Sequence, residues 1–441
     1  MGVKKISQIF NPKHITWTCS YWKRYSKQIL NLQKAYIKPR AYKVRLMQMK
    51  EAVDSQYEQE ASKWIEGYKG IKVYFLYSQH IGGCTSRIID IMTDTTYDSK
   101  KEYRHVFIPE EGIANQELIK MFADKREVVT SENLGFYTYV MTKYTHLVDD
   151  RDYNRYFGRN KEYRVEANKG FLDFTKEQES YGKKRLAEMG LEPGTYACIH
   201  ARDAAYMQTV LGRSDQECPR NTSIDYLIPA VDYLYSQQIT SVRMGQFVSE
   251  SFDHEGVLDY ATIGSERLID LYLEKHCKCL VASDSGLMVS STLFAKPKVI
   301  TNLYTLTMCW GSVPVTEYDV CIPIKMYDEQ KKRYLTFEEM LEFEHSDLAK
   351  LSETELLQQG IQYVNNTPEE ILDATRELME RMHGTYQASE EDEKLQALYL
   401  KIRDVYVERY QTKKMRSGGP SLAKMSAKFL RENKELFGDK L

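Results

Sequence analysis

The feature that most constrains this chain is a regular alternation of short apolar segments and amphipathic helical segments between residues 196 and 302. The first apolar segment, Tyr196–Ile199, predicts a buried strand. Strands that alternate with helices build a parallel sheet that helices cover on both faces. The pattern therefore predicts an α/β fold for this region.

Polar or small residues follow three predicted strands of this region. In an open parallel sheet, ligands bind at the edge formed by the carboxyl ends of the strands. An arginine there can hold an anion, and backbone N–H groups at a helix start suit a phosphate. Each feature alone is also explained as a strand-end ion pair or an ordinary helix cap. Three such features in successive units favour a diphosphate site. Its predicted residues are His200, Arg202, Asp203, Arg243, Gly245, Ser283, Asp284, Ser285 and Gly286.

A similar strand-to-helix junction occurs earlier in the chain. The predicted strand Ile71–Tyr77 is followed by His80, Gly82 and Gly83. Glycines let a backbone approach a ligand closely, although a tight turn explains them equally well. The loop is therefore a candidate binding segment, with His80 as a candidate base. The dinucleotide pattern GxGxxG is absent, which disfavours a dehydrogenase.

Asp150 and Asp152 form a different candidate site. Two carboxylates at this spacing can bind a divalent metal ion that bridges a diphosphate. Arg151, Arg155 and Arg159 lie close by in sequence and would compete for the negative charge. A metal site at this pair is therefore an alternative to metal-free binding.

The N-terminal segment has an unusual charge. Residues 1–50 contain twelve Lys and Arg and no Asp or Glu, whereas the rest of the chain is net acidic. Because Trp17 and Trp22 lie between the charges, the arm suits an anionic membrane surface or docking on an acidic protein surface. Nucleic acid is not an expected partner, since no nucleic-acid-binding module follows.

Length and composition limit the remaining possibilities. A chain of 441 residues exceeds the size of one core, so at least two domains are expected. The sequence shows neither an 18-residue apolar run nor a signal peptide, so we expect a cytoplasmic protein, with the arm at the inner face of the membrane. The eight scattered cysteines are expected to be buried thiols.

We predict four regions. They are a basic helical arm (1–65), a Rossmann-like acceptor-side domain (66–190), a Rossmann-like donor domain (191–335) and a helical extension (336–441). The two Rossmann-like domains are expected to face each other across a cleft.

A set of motifs extends through the second half of the chain. They are IHARDAAY, the PRN at 219–221, VRMG, LDYA, IDLYLEKHCKCLVASDSGL, KPKVITN, TPEEIL and SAKFLREN. Together they resemble a family of glycosyltransferases from bacterial surface-polysaccharide gene clusters. The resemblance covers about residues 66–437 and is densest from 196 to 302. The chain is also distantly similar to fucosyltransferases of GT-B fold.

This resemblance implies roles for individual residues. His200 and Arg202 match an HxR motif whose arginine contacts the donor diphosphate. Asp270 and residues 283–286 match a late acidic and serine-rich loop of the nucleotide pocket, and Arg220 and Asn221 belong to the shared motifs. The implied reaction moves a sugar from a nucleoside diphosphate sugar to a saccharide or lipid-linked saccharide, without a cofactor.

For such a reaction we expect Arg202, Arg243 and the N–H groups of Ser285 and Gly286 to neutralise the leaving diphosphate. Asp203 is the first candidate for the base and His80 the second, while His200 is expected to orient Arg202. Two alternatives remain open. One is a non-catalytic scaffold of a polysaccharide assembly complex, and the other is a metal-dependent transferase of GT-A type.

Overall fold

The computed structural model describes residues 56–76, 78–93, 102–109, 114–149, 168–212, 214, 217–306, 316–410 and 424–441. Residues 1–50 and the pair Asp150 and Asp152 lie outside the described residues. The chain divides into two compact units. The first comprises Met1–Gln79, Lys100–Ile113 and Arg126–Tyr153, and the second comprises His80–Ser99, Ala114–Lys125 and Asn154–Leu441.

Short strands alternate with helices along most of the described chain. The strands are β1 (Gly70–Leu76), β2 (Tyr103–Pro109), β3 (Glu127–Val128), β4 (Val148–Asp149), β5 (Tyr196–His200), β6 (Thr240–Arg243), β7 (Val257–Leu258), β8 (Leu280–Ser283), β9 (Lys298–Leu303), β10 (Val320–Pro323), β11 (Lys325–Asp328), β12 (Arg333–Tyr334), β13 (Ile361–Val364) and β14 (Lys424–Met425).

The helices are α1 (56–65), α2 (Ile81–Thr93), α3 (Gln116–Ala123), α4 (Leu134–Lys143), α5 (Lys176–Glu188), α6 (Ala205–Leu211), α7 (Ile228–Ser236), α8 (Tyr260–Ile263), α9 (Arg267–His276), α10 (Gly286–Ser290), α11 (Phe337–Phe343), α12 (Glu353–Gln358), α13 (Pro368–His383), α14 (Glu390–Tyr410) and α15 (Ala427–Glu432). None of these described helices is both long and apolar enough to span a membrane.

The first unit contains a parallel sheet of four described strands in the order β3-β2-β1-β4. Apolar side chains of β1 and β2, including Ile71 and Val106, pack against α1 and α4. Arg104 ties α1 to this sheet, because its guanidinium donates to the Trp64 carbonyl at 2.7 Å and to Glu127 at 2.9 Å. An α/β core thus forms in this unit.

The second unit contains a parallel sheet whose described strands run β14-β10-β9-β8-β5-β6-β7. Strand β5 lies between β6 and β8, with Ile199 opposite Arg243 and His200 opposite Ala282. The α/β class and the parallel sheets are therefore confirmed, whereas two domains facing across a cleft stay a prediction. Each described cysteine is a free thiol, and all of them except Cys218 are buried.

The C-terminal region differs from the helical extension expected after residue 336. Strand β13 pairs with β11 in an antiparallel sheet of order β12-β11-β13, and β14 adds to the edge of the large sheet. These strands are four and two residues long, too short for a period of two to stand out between helices. The predicted domain boundaries stay a prediction, although α2 and α3 group with the second unit.

Gly182 provides a test of packing in the second unit. A Cβ at Gly182 would lie 2.3 Å from Tyr272 Cδ2, and Tyr272 is buried against Phe174 and His276. We expect Gly182→Ala to lower the free energy of unfolding by about 1–3 kcal/mol, because the ring has little room to move. Urea denaturation measures the change. Lys183→Ala, at an exposed position of the same helix, should leave it nearly unchanged.

Candidate functional site

A cavity of about 430 Å³ lies in the second unit, where β5, β6 and β8 end. Its wall is formed by the segments that follow these strands, together with the starts of α2 and α3 and one face of α9. All of its lining residues belong to this one unit. The parallel order of the sheet therefore brings the predicted loops to a single hollow.

Most of the predicted site residues line this cavity. Among the described residues, Asn221, Arg243 and Ser283 are the predicted site residues outside its lining. Those that line it are His80, Gly82, Gly83, His200, Arg202, Asp203, Arg220, Gly245, Asp270, Asp284, Ser285 and Gly286.

Arg202 is held by two neighbouring segments. Its backbone N–H donates to Ser283 Oγ at 2.8 Å, so the end of β5 is fixed to the end of β8. Its guanidinium donates through Nη1 to Asn221 Oδ1. Ser283 and Asn221 thus position Arg202 at the cavity wall.

Arg243 has a different place from the one expected for a diphosphate ligand. Its Nη1 donates to the Glu250 carbonyl at 2.7 Å and lies 3.3 Å from Asp259 Oδ2. The side chain is 4% exposed, and Asp259 Oδ2 also accepts from the Phe252 N–H. The geometry favours a buried ion pair that fixes the loop after β6, and the expected role of Arg243 at the diphosphate stays a prediction.

Asp203 is also engaged with the backbone. One carboxylate oxygen accepts from the Ala205 N–H at 2.9 Å, and the other accepts from the Ser249 N–H at 2.8 Å. The first bond stabilises the start of α6, and the second ties that helix to the loop after β6. Each oxygen accepts one structural hydrogen bond and keeps a second lone pair, so the expected role of Asp203 as a base stays a prediction.

His200 has a defined tautomer. Its Nδ1 lies 2.9 Å from the Met244 carbonyl, which can only accept, so Nδ1 carries the proton. Burial lowers the pKa of His200, so the ring is neutral at neutral pH and Nε2 is an acceptor. The observed bond positions the loop after β6. The expected role in orienting Arg202 stays a prediction.

The two predicted glycine segments meet at the cavity. A Cβ on Gly82 would lie 2.7 Å from the Gly286 Cα, and one on Gly286 would lie 2.9 Å from the Gly82 nitrogen. Helix α2, thirteen residues long, starts at this contact, and its first backbone bond runs from Cys84 N–H to the His80 carbonyl. The N–H groups of its first turn lie before that bond and give this end of the helix a positive potential.

Asp284 lies in a basic environment within the cavity wall. Burial raises the pKa of Asp284, whereas the nearby positive charges of Arg220 and Arg202 act to lower it. Its Oδ2 accepts from the Tyr304 N–H at 3.2 Å. The carboxylate therefore helps to hold the loop after β8 beside the two guanidinium groups.

A wall of acidic residues on α9 was only partly predicted. Asp270 accepts from the Tyr260 hydroxyl at 3.0 Å, and burial raises the pKa of Asp270 to about 6. Glu274 was missed, although its i,i+4 spacing from Asp270 places both residues on one face of a helix. Burial raises its pKa well above the usual range, and its Oε1 accepts from Ser290 Oγ at 2.8 Å.

Other lining residues were also missed because they lie outside recognisable motifs. Arg267 precedes Asp270 by less than one helical turn, and the Asn115 side chain donates to the Arg267 carbonyl at 2.9 Å. Tyr206 and Phe247 form an aromatic pair with ring centroids 6.3 Å apart. Tyr206 closes the motif IHARDAAY, so its place after Asp203 was the one available signal.

Within the described ranges, no group of three or more His, Cys, Asp and Glu side chains is arranged to hold a metal ion. The pair Asp150 and Asp152 lies outside these ranges. The metal alternative at that pair therefore stays a prediction.

Comparisons with known proteins found similar solved structures, but no family model and no curated protein match the sequence. ADP-heptose LPS heptosyltransferase II of E. coli matches over 71% of this chain and 99% of its own, with 12% identity and a TM-score of 0.38. A glycosyl transferase family 9 protein from Veillonella parvula DSM 2008 matches over the same shares, with 11% identity and a TM-score of 0.41. Likenesses this distant do not establish a shared activity or substrate.

The ion pair of Arg243 predicts a stability effect that is separate from ligand binding. Arg243→Ala leaves the mostly buried Asp259 carboxylate without its cation, so the free energy of unfolding should fall by about 3 kcal/mol. Urea denaturation monitored by circular dichroism measures the loss. Arg333→Ala removes an exposed partner of Glu339 and should cost about 1 kcal/mol or less. Equal losses for the two variants would contradict a buried structural pair.

Proposed function

We propose that the chain is a glycosyltransferase that binds a nucleoside diphosphate sugar in this cavity. The sugar is transferred to a hydroxyl group of a saccharide or lipid-linked saccharide. The observation that carries the proposal is the convergence of Arg202, Arg220 and the start of α2 on one cavity that also has an acidic wall. A volume of about 430 Å³ suits such a ligand, since small-molecule pockets span roughly 300–1,000 Å³. The sequence resemblance supports the same activity.

The basic part of the cavity suits the diphosphate. Guanidinium groups bind phosphate oxygens through two parallel hydrogen bonds, and Arg202 is already positioned by Asn221 and Ser283. Arg220 lies beside Asp284, and the N–H groups at the start of α2 add positive potential. These groups stabilise the charge that develops on the leaving diphosphate, so the proposed mechanism needs no metal ion or other cofactor.

The aromatic part of the cavity suits a ring. Tyr206 and Phe247 contact each other at the wall, and Phe247 is 36% exposed. An exposed phenyl face next to the cavity offers a surface on which a nucleobase or a sugar ring can stack. The cavity thus combines an anion-binding part with an apolar part, as a nucleotide sugar requires.

In the proposed reaction, the acceptor hydroxyl oxygen bonds to the anomeric carbon while the bond from that carbon to the diphosphate oxygen breaks. The hydroxyl proton passes to a base, and the diphosphate leaves as an anion held by Arg202 and Arg220. We propose His80 as this base, because the two backbone bonds of Asp203 direct its carboxylate to the start of α6 and to the loop after β6. His80 lines the cavity next to the proposed diphosphate site.

The proposal includes a cellular location. Lipid-linked acceptors lie at a membrane surface, and the basic segment 1–50 suits attraction to anionic lipid at the inner face of the cell membrane. The enzyme would then act in the cytoplasm, where sugar nucleotides are made available to it.

Replacing Arg202 tests the proposed diphosphate site. Arg202→Ala should raise the dissociation constant of nucleoside diphosphates about 10- to 100-fold, because a charge-assisted hydrogen-bond pair is lost. Arg202→Lys keeps the charge but not the paired geometry. Its dissociation constant should therefore lie between those of the unchanged protein and Arg202→Ala. Isothermal titration calorimetry with UDP, GDP and ADP provides the affinities. Arg333→Ala, in the small antiparallel sheet, is the matched control and should bind as the unchanged protein does.

The same titrations, together with activity measurements in EDTA, separate the alternative functions. A non-catalytic scaffold should bind none of the three nucleotides, which would refute the proposal. Activity that EDTA abolishes, together with its loss in Asp150→Ala, would favour the metal-dependent transferase. Full activity in EDTA supports charge stabilisation by the arginines.

Replacing His80 tests the proposed base. His80→Gln should lower kcat by about 100-fold or more and leave nucleotide affinity nearly unchanged, because proton transfer is lost while donor binding remains. Steady-state kinetics with a sugar nucleotide, combined with calorimetry, separates these effects. Asp203→Asn serves as the comparison. It should lower the melting temperature, and it should reduce kcat less than His80→Gln does. The opposite result would return the role of base to Asp203.

A further inference from the structure

The segment that joins β13 to α13 contacts a loop of the cavity wall. Asn365 follows β13 directly, and its Nδ2 donates to the Asn221 main-chain carbonyl at 3.3 Å. Asn221 Oδ1 in turn accepts from Arg202 Nη1. Asn365 is not among the described residues that line the cavity. Two hydrogen bonds therefore join a residue outside the cavity to the guanidinium group that is proposed to bind the diphosphate.

The position of Asn365 is fixed by its neighbour in the chain. Asn366 is fully buried and forms a reciprocal pair with Asn302 of β9, in which each main-chain N–H donates to the other side chain's Oδ1 at 2.6 and 2.7 Å. Asn366 Nδ2 also donates to the Pro323 carbonyl at the end of β10 at 2.8 Å. Because Thr367 then caps α13, the main chain on the C-terminal side of Asn365 has little freedom to move.

The loop that accepts the bond from Asn365 is tied closely to Arg202. The Thr222 N–H donates to the Arg202 carbonyl at 3.0 Å, and the Asn221 N–H donates to the Cys218 carbonyl at 2.9 Å, which closes a turn. The main chain and the side chain of Asn221 therefore cannot shift independently. A displacement of the Asn221 carbonyl would also move the Oδ1 atom that holds Arg202.

We propose that Asn365 is a positioning residue for the diphosphate site. It holds the Asn221 main chain, so that the Asn221 side chain keeps the Arg202 guanidinium group in place for the leaving diphosphate. The inference rests on the proposed function and assigns a role to a residue that the sequence placed in a helical extension. Asn365 acts through Arg202 and does not itself contact the diphosphate.

The energetic reason is the freedom of the arginine side chain. A long side chain that must be ordered when an anion binds loses rotamer entropy, whereas one that is ordered beforehand loses less. The bond from Asn365 adds to the order of Arg202 without adding charge to the cavity. Its loss should therefore weaken phosphate binding by less than the loss of Arg202 itself.

A second contact of β13 reaches the other side of the same wall. The Tyr363 hydroxyl donates to the Tyr304 hydroxyl at 3.3 Å, and the Tyr304 main-chain N–H donates to Asp284 Oδ2 at 3.2 Å. Asp284 lies in the loop after β8, close to the charge of Arg202. The end of β13 thus supports both segments that surround Arg202, which is the arrangement expected of a structure that positions this residue.

Replacing Asn365 tests the proposal. Asn365→Ala removes the donor and should raise the dissociation constants of a nucleoside diphosphate and of inorganic pyrophosphate by about 3- to 10-fold, as expected for one hydrogen bond. The two ligands should be affected equally, because the change acts at the phosphates. Isothermal titration calorimetry measures both constants. Unchanged affinities, or a loss for the nucleoside diphosphate alone, would overturn the inference.

A double-mutant cycle separates positioning from a general structural role. Asn221→Ala keeps the main-chain carbonyl that accepts from Asn365 but removes the Oδ1 atom that accepts from Arg202. In the Asn221→Ala protein, Asn365→Ala should therefore cause no further loss of pyrophosphate affinity. If Asn365→Ala weakens binding by the same factor with and without the Asn221 side chain, Asn365 does not act through Arg202 and the inference is refuted.

Thr354 provides a matched control on the same side of the loop. Its hydroxyl donates to Glu217 Oε1 at 2.9 Å, so it joins α12 to this loop at a different and exposed point. Thr354→Val should leave both dissociation constants unchanged, and an effect as large as that of Asn365→Ala would overturn the inference. Melting temperatures confirm that folded proteins are compared. If the unchanged protein binds neither ligand, the proposed function and the inference fall together; if it binds both and Asn365→Ala has no effect, only the inference falls.

Discussion

The parallel pairing of β5 with β6 on one side and β8 on the other is the constraint on which the candidate site depends. This register makes all three strands end at one edge, and the bond from the Arg202 N–H to Ser283 Oγ fixes two of the ends together. Arg202 and the loop after β8 are far apart in sequence but share one cavity wall. A shift of one residue in this pairing would turn each side chain to the opposite face of the sheet.

The residues around the cavity fall into two groups. Some contribute charge to the cavity, and others hold the strand ends and loops in place. Asp203, His200 and Arg243 direct polar atoms to backbone groups of the loop after β6 or to its neighbouring side chains. That loop therefore depends on three side chains that are themselves near the site. Arg202 and Arg220 contribute positive charge to the cavity, and α9 contributes an acidic wall.

The order of strands and helices could be predicted from the sequence because apolar runs in a parallel sheet are nearly continuous. For the same reason, the residues that follow these runs, such as Arg202 and Asp284, were identified as neighbours. The direction of a side chain could not be predicted. Arg243 ends β6 and Arg202 lies just beyond β5, yet Asp259 and the Glu250 carbonyl engage the Arg243 guanidinium. Glu274 was missed because α9 mixes charged and apolar residues, and nothing in its sequence shows which acid lies beside a cavity.

The contact between Gly82 and Gly286 has a consequence for how this protein tolerates variation. Main-chain atoms of the two segments lie in contact there, with the Ile81 side chain beside them, so even a single methyl group at either position must push the segments apart. A survey of all substitutions would score both glycines as intolerant, although neither has a side chain that could take part in bond making or breaking. Intolerance at these two positions would reflect the lack of space for a Cβ atom, and it should not be taken as a marker of catalytic chemistry.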